Sequence, residues 1–98
     1  MARVVWTPSA EDDVHRNAAY IAADSPYRAS LFVAELYKNT DRLQDFPLSG
    51  RIIPEKKDPS FREIIFGNYR IMYRTNDGLV EILRIFHSAR IFDESILD

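Results

Sequence analysis

The stretch from Phe61 to Arg90, FREIIFGNYRIMYRTNDGLVEILRIFHSAR, constrains the fold more than any other, because strand-like apolar runs alternate there with clusters of turn residues. Gly67-Asn68 separates FREIIF from YRIMYR, where a two-residue hairpin loop needs residues that tolerate positive φ. Asn76-Asp77-Gly78 supplies the next reversal. With Gly67-Asn68 as the whole first loop, Phe66 is expected to face Tyr69, Ile64 to face Ile71 and Arg62 to face Tyr73. The other face then carries Glu63, Ile65, Arg70, Met72 and Arg74. The same parity continued into the last run adds Leu79, Glu81, Leu83, Ile85 and His87, so that Arg70 and His87 share a face. LVEILRIF is apolar on both faces except at Glu81 and Arg84, as expected of a strand covered twice, with Glu81 opposite Arg74. Taken singly, Arg62, Arg74 and Arg84 read as solvated or cross-strand-paired cations. Arg70 stands apart, because it lies mid-strand between Tyr69 and Ile71, where β-branched or aromatic residues are favoured.

The rest of the chain supplies helices. Arg3-Val4-Val5-Trp6 reads as a short strand ended by Thr7-Pro8, with Thr7 as a helix cap and Pro8 in the first turn. Ala10, Val14, Ala18, Ile21 and Ala22 recur at helical spacing, and the acidic Glu11, Asp12 and Asp13 suit the positive end of the helix dipole. Asp24-Ser25-Pro26 stops this helix and starts a second, whose inner face is Ala29, Phe32, Val33, Leu36, Tyr37, Thr40 and Leu43 and whose end is set by Phe46-Pro47. PLSGRIIPEKKDPS, residues 47–60, has neither helical nor strand period and reads as the connection to the sheet, with Gly50 permitting a turn. After Arg90, IFDESILD is expected to form a helical turn or a last strand, packed by Ile91, Phe92, Ile96 and Leu97. The result is an α+β fold: an N-terminal strand, a two-helix hairpin and an antiparallel β-meander, with both helices on one face of the sheet.

At 98 residues and 46% hydrophobic, the chain can build one modest core, so residues 1–98 are read as a single domain. Cysteine is absent, which removes disulfides and thiolate metal sites and suits a reducing compartment. No apolar run approaches a membrane span, and the apolar stretch after Met1-Ala2-Arg3 is too short for a secretory signal, so a cytoplasmic protein is expected. His15, on a polar helix face, and His87 are too far apart in sequence to suggest a metal site, and no glycine-rich phosphate loop exists; no cofactor is implied. A net charge of -2 argues against bulk electrostatic binding of nucleic acid. Even so, Arg51, Lys56, Lys57, Arg62, Arg70 and Arg74 fall in one middle segment and leave room for a local basic patch.

Three short motifs, in order and on the expected elements, carry a resemblance. Pro47, Gly50 and Arg51 in PLSGR, Tyr69, Arg70 and Tyr73 in YRIMYR, and His87 and Arg90 in HSAR resemble the RelE/ParE superfamily of toxins from bacterial type II toxin-antitoxin modules. The likeness covers nearly the whole chain. It implies a toxin held inactive by a small cognate antitoxin in a hetero-oligomer, in a module of the plasmid-stabilisation kind, with Arg51, Arg62, Arg70, Arg74, His87 and Arg90 as candidate target- or antitoxin-binding residues.

The superfamily offers two activities. ParE-like members bind DNA gyrase and block its cycle; RelE-like members are ribosome-associated endoribonucleases that cut mRNA. Metal-free RNA cleavage needs a base for the 2′-hydroxyl, a cation for the pentacovalent phosphate and an acid for the leaving oxygen; the catalytic candidates are Arg70 as the cation, His87 as acid or base, and Arg62 or Arg90 as a second cation. The ribonuclease members usually carry lysines before the Y-R strand and a tyrosine or histidine in the C-terminal tail. FREII has no lysine, and IFDESILD has neither. Net acidity is also awkward for docking on ribosomal RNA. The ParE-like reading is therefore the expectation, beside a third in which the chain only binds its antitoxin. Structural roles are the plain alternatives: His87 as a packing residue at a strand end, Tyr69 and Tyr73 as core residues with hydroxyls at the edge, His15 as solvated.

Overall fold

A computed structural model describes residues 1–97. Its elements in chain order are β1 (Arg3–Trp6), α1 (Pro8–Asp24), α2 (Pro26–Asp41), a 3₁₀ turn (Arg42–Gln44), β2 (Arg51–Ile52), β3 (Phe61–Phe66), β4 (Tyr69–Asn76), β5 (Leu79–His87) and a second 3₁₀ turn (Glu94–Leu97). Asp98, the end of the tail segment, lies outside the described residues. None of the described helices is long and apolar enough to cross a membrane.

Local chemistry explains the helix boundaries. The Thr7 hydroxyl accepts from the Ala10 N–H at 3.2 Å and donates to the Ile82 carbonyl at 2.9 Å, so one side chain both caps α1 and ties its start to β5. Ser25 serves two helices: its N–H donates to Ile21 O, closing α1, and its hydroxyl accepts from Arg28 N–H at 3.2 Å, opening α2. Regular α-helix ends at Asp41, earlier than Phe46-Pro47 suggested, and tightens into the 3₁₀ turn before the proline.

The sheet order is β1-β5-β4-β3-β2. Every neighbouring pair is antiparallel except β1 and β5, which are parallel. The first hairpin has the expected register, Phe66 opposite Tyr69, Ile64 opposite Ile71 and Arg62 opposite Tyr73, with Gly67 at φ 56°. Arg74 faces Glu81, also as expected. Two expectations fail. Residues 47–60 are more than a connection, since Arg51 and Ile52 pair with Glu63 and Arg62 as β2. The parity of β5 also changes along its length. Met72 faces Arg84 while Tyr73 faces Ile82, so Leu83 is an extra residue in a β-bulge and everything after it swaps faces. Ile85 and His87 therefore lie on the face of Ile71 and Tyr69, opposite to Arg70 and Met72.

Each face has its own cluster. Ala10, Val14, Phe32, Leu36 and Leu43 bury Ile71, Tyr73, Val80, Ile82 and Ile85 under the helices, with Ile21, Ile64 and Phe66 packed at the margin. On the reverse face Ile53, Met72, Phe86 and Leu97 form a second cluster with Phe61, Leu83, Phe92 and Ile96. The parity change moves Phe86, which unbroken alternation would place on the Ile71 face, to this second face. Ile91 is exposed and does not pack the tail. Leu36 and Ile71 are both fully buried. Either residue changed to Ala is expected to cost about 2 to 5 kcal/mol by denaturant unfolding, a loss that a surface position would not show.

Candidate functional site

Pro47 and Gly50, two of the motif residues in the 47–51 segment, are held by one phenol. Tyr73 is fully buried, and its hydroxyl donates to Pro47 O at 2.8 Å and accepts from Gly50 N–H at 3.0 Å. Burial pushes this phenol above its ordinary pKa, against the opposing pull of the Gly50 N–H. Gly50 was expected to allow a turn; its role is close approach. A Cβ there would sit 2.7 Å from Glu63 O and 2.7 Å from the Tyr73 hydroxyl. Gly50→Ala is therefore expected to lose about 1 to 3 kcal/mol through overpacking, read as a lowered denaturation midpoint. Arg62 completes this anchor, donating to Gly50 O at 3.0 Å and to Pro59 O at 2.9 Å, so this cation is spent on loop carbonyls.

The reverse face of the sheet carries a chain of alternating charges. Glu63, on β3, is fully buried in its side chain, and each of its oxygens takes one arginine Nε–H at 2.6 Å, Arg51 from β2 and Arg70 from β4. Arg70 then donates from Nη1 and Nη2 to the two oxygens of Glu55, at 2.9 and 2.7 Å. The Phe92 ring lies 5.4 Å from its guanidinium carbon. Glu55 first, and Glu63 after it, hold the Arg70 guanidinium above its usual pKa range in spite of its burial, and the Arg70 hydrogen bonds hold the Glu55 carboxyl below its usual range. Arg51, Arg70, Glu55 and Glu63 thus form one neutralised network where charge counting had suggested a basic patch.

Arg84 is the centre of a second pairing. Asp13, inside α1, is 3% exposed and takes Arg84 Nε–H at 2.7 Å, Arg84 Nη2–H at 2.9 Å and the Ile85 backbone N–H at 2.9 Å. β1 ends opposite Ile82, so this carboxylate meets the β5 edge beyond the point where strand pairing stops. Asp13 raises the Arg84 pKa by accepting its hydrogen bonds. Asp13 was read as a dipole-favouring acid and Arg84 as solvated or paired across strands; the two pair across the layers, Asp13 buried and Arg84 largely so. Every buried side-chain nitrogen and oxygen among the described residues has a hydrogen-bond partner.

The remaining candidates are dispersed. His87 stacks edge-on against Tyr69 with ring centroids 5.0 Å apart, Tyr69 packs against Phe32 of α2 at 5.1 Å, and His87 Nδ1 accepts from Ala89 N–H at 3.1 Å. Arg90 lies over the Phe86 ring at 5.5 Å, and Arg74 is exposed over Phe61 at 5.7 Å. His15 is exposed, as expected. The structure brings Arg51 and Arg70 together on Glu63, and it separates both from His87 by the thickness of the sheet. Glu55 and Glu63, which decide what the arginines can do, were missed. For Glu63 the available signal was parity, since it shares a strand face with Arg70; for Glu55, in a loop, there was none.

With this geometry described, comparison with known proteins places the chain. Residues 4–92 match the family model described as the ParE toxin of the type II toxin-antitoxin system, parDE. The chain is 37% identical over 92 residues to Toxin RelE2 of Caulobacter vibrioides, covering 93% of this chain and all of that one. It is 34% identical to the putative toxin Y4kP of Sinorhizobium fredii, over 88% of each chain. The toxin-like fold also matches a chain from the chromosomal ParDE toxin-antitoxin system of P. aeruginosa, with a TM-score of 0.73 at 22% identity, covering 89% of this chain and 96% of that one. The chain belongs to the ParE toxin family of type II toxin-antitoxin systems, within the RelE/ParE superfamily.

Proposed function

We propose that the chain is a ParE-like toxin that binds and inhibits DNA gyrase and is neutralised by a small cognate antitoxin. The observation that favours this over RNA cleavage is the placement of Arg70 and His87 on opposite faces of the sheet, set by the bulge at Leu83. A cation and a proton-transfer group must reach the same phosphodiester, each within hydrogen-bond range of its atom. These two do not converge. The Arg70 donors are moreover turned onto Glu63 and Glu55, and His87 already has a packing partner in Tyr69. The antitoxin partner is supported by the likeness to a chain of a ParDE pair. The name of the Caulobacter relative speaks for the other reading, a RelE-like ribosome-dependent mRNA endoribonuclease.

His87→Gln separates the two. It keeps a polar side chain of similar reach and removes the titratable ring. In a gyrase-directed toxin it is expected to leave growth arrest on expression nearly unchanged, and the toxin should still copurify with a cognate antitoxin. A nuclease using His87 as acid or base would lose about 10² to 10⁴ in cleavage rate with the fold intact, and growth arrest would vanish with it.

A further inference from the structure

The Arg70 guanidinium is built like a receptor. Its Nε–H is fixed on the buried Glu63 at 2.6 Å, its face is covered by Phe92, and its side chain is only 11% exposed. What remains is the outer edge, where Nη1 and Nη2 present a two-donor fork that matches a planar carboxylate. That edge is occupied by Glu55, which takes both donors with both oxygens. Glu55 differs from Glu63 in where it stands. Its side chain is 39% exposed and it belongs to the loop between β2 and β3 rather than to a strand. The same loop holds Lys57 at φ 56°, a left-handed conformation that non-glycine residues adopt at a cost.

We propose that the outer edge of Arg70 is a carboxylate-binding site that Glu55 occupies in the free chain, and that an acidic side chain of a peptide partner takes the fork by displacing Glu55. Glu55 is then an internal competitor. It screens the fork from weak anions and yields to a carboxylate whose neighbours add contacts of their own. The exchange conserves charge and hydrogen bonds at Arg70, so what it costs is the movement of the loop and the freedom the partner loses on binding, which the partner's other contacts must offset. A peptide carboxylate is the favoured occupant because a carboxylate, that of Glu55, already seats both of its oxygens on the fork in this structure. This inference does not depend on which cellular target the toxin has.

The test is a titration of the full chain, isotopically labelled, with a hexaglutamate peptide and separately with a hexathymidylate oligonucleotide at low salt, following the Arg70 Nε–H signal by NMR. Removing a competitor that keeps the fork closed about 90% of the time raises apparent affinity about tenfold. Glu55→Ala is therefore expected to bind hexaglutamate about tenfold more tightly than the unaltered chain, with the Arg70 signal moving on binding and little gain for the oligonucleotide. Glu11→Gln, on an exposed helix position, removes the same charge elsewhere and is expected to change neither affinity. The proposal is overturned by any of three results: no gain in Glu55→Ala, a gain with the Arg70 signal unmoved, or an equal gain in Glu11→Gln. A gain for the oligonucleotide matching that for the peptide would overturn the choice of a peptide carboxylate.

Discussion

Asp13→Ala is expected to be among the most damaging single substitutions in the chain, lowering stability by about 3 to 5 kcal/mol, the range for removing one partner of a buried ion pair. The carboxylate has three interior donors: Arg84 Nε–H, Arg84 Nη2–H and the Ile85 backbone N–H. Arg84 is only 17% exposed in its side chain and has the Ile96 carbonyl, at 3.3 Å, as its other acceptor. Deleting Asp13 leaves a cation without its counter-ion and a strand N–H without an acceptor. For a domain whose whole stability is on the order of 5 to 15 kcal/mol, that loss removes a large share. Arg16, which also reaches Asp13, contributes little because its side chain is 71% exposed. Asp13→Asn should be milder, since one oxygen can still accept from Ile85. Denaturant unfolding checks both, and Asp13→Ala combined with Arg84→Met should lose less than Asp13→Ala alone, because the stranded charge is gone.

Glu63→Ala follows closely, with an expected loss of about 3 kcal/mol, the low end of the same range. Two arginines converge on this buried side chain, which would suggest the larger effect. Both have a way out. Arg51 is 59% exposed and can turn to water, and Arg70 keeps its two bonds to Glu55. Arg70→Ala should cost comparably, since it leaves Glu63 buried with only Arg51. A double-mutant cycle between positions 63 and 70 gives their coupling directly. A coupling near zero would mean that the network is not formed in solution.

Much of the architecture was legible because its signals are local. Gly67-Asn68 set the register of the first hairpin, and Thr7-Pro8 and Ser25-Pro26 marked helix starts through caps that act within a turn. The bulge was not legible. LVEILRIF is apolar on both faces, so an extra residue at Leu83 leaves no break in the pattern, and parity carried through it misplaces Ile85, His87 and Phe86. β2 escaped because Arg51 and Ile52 are too few to show a period. Asp13 and Arg84 are separated by 71 positions, and nothing nearby in sequence reveals that an acid amid helix-start carboxylates turns inward. The candidate site shows the same divide. Its cations could be named one by one, but whether they are available depends on Glu55 and Glu63, whose partnership is a matter of sheet register and loop path.

The most direct measurement sets both activities against one preparation: purified toxin is added in parallel to a gyrase supercoiling reaction and to a translating extract in which mRNA ends are mapped. A ParE-like toxin stops supercoiling at concentrations that leave the mRNA intact, and its cognate antitoxin restores the supercoiling. Site-specific mRNA cleavage that is abolished by His87→Gln, with supercoiling untouched, would contradict the gyrase assignment.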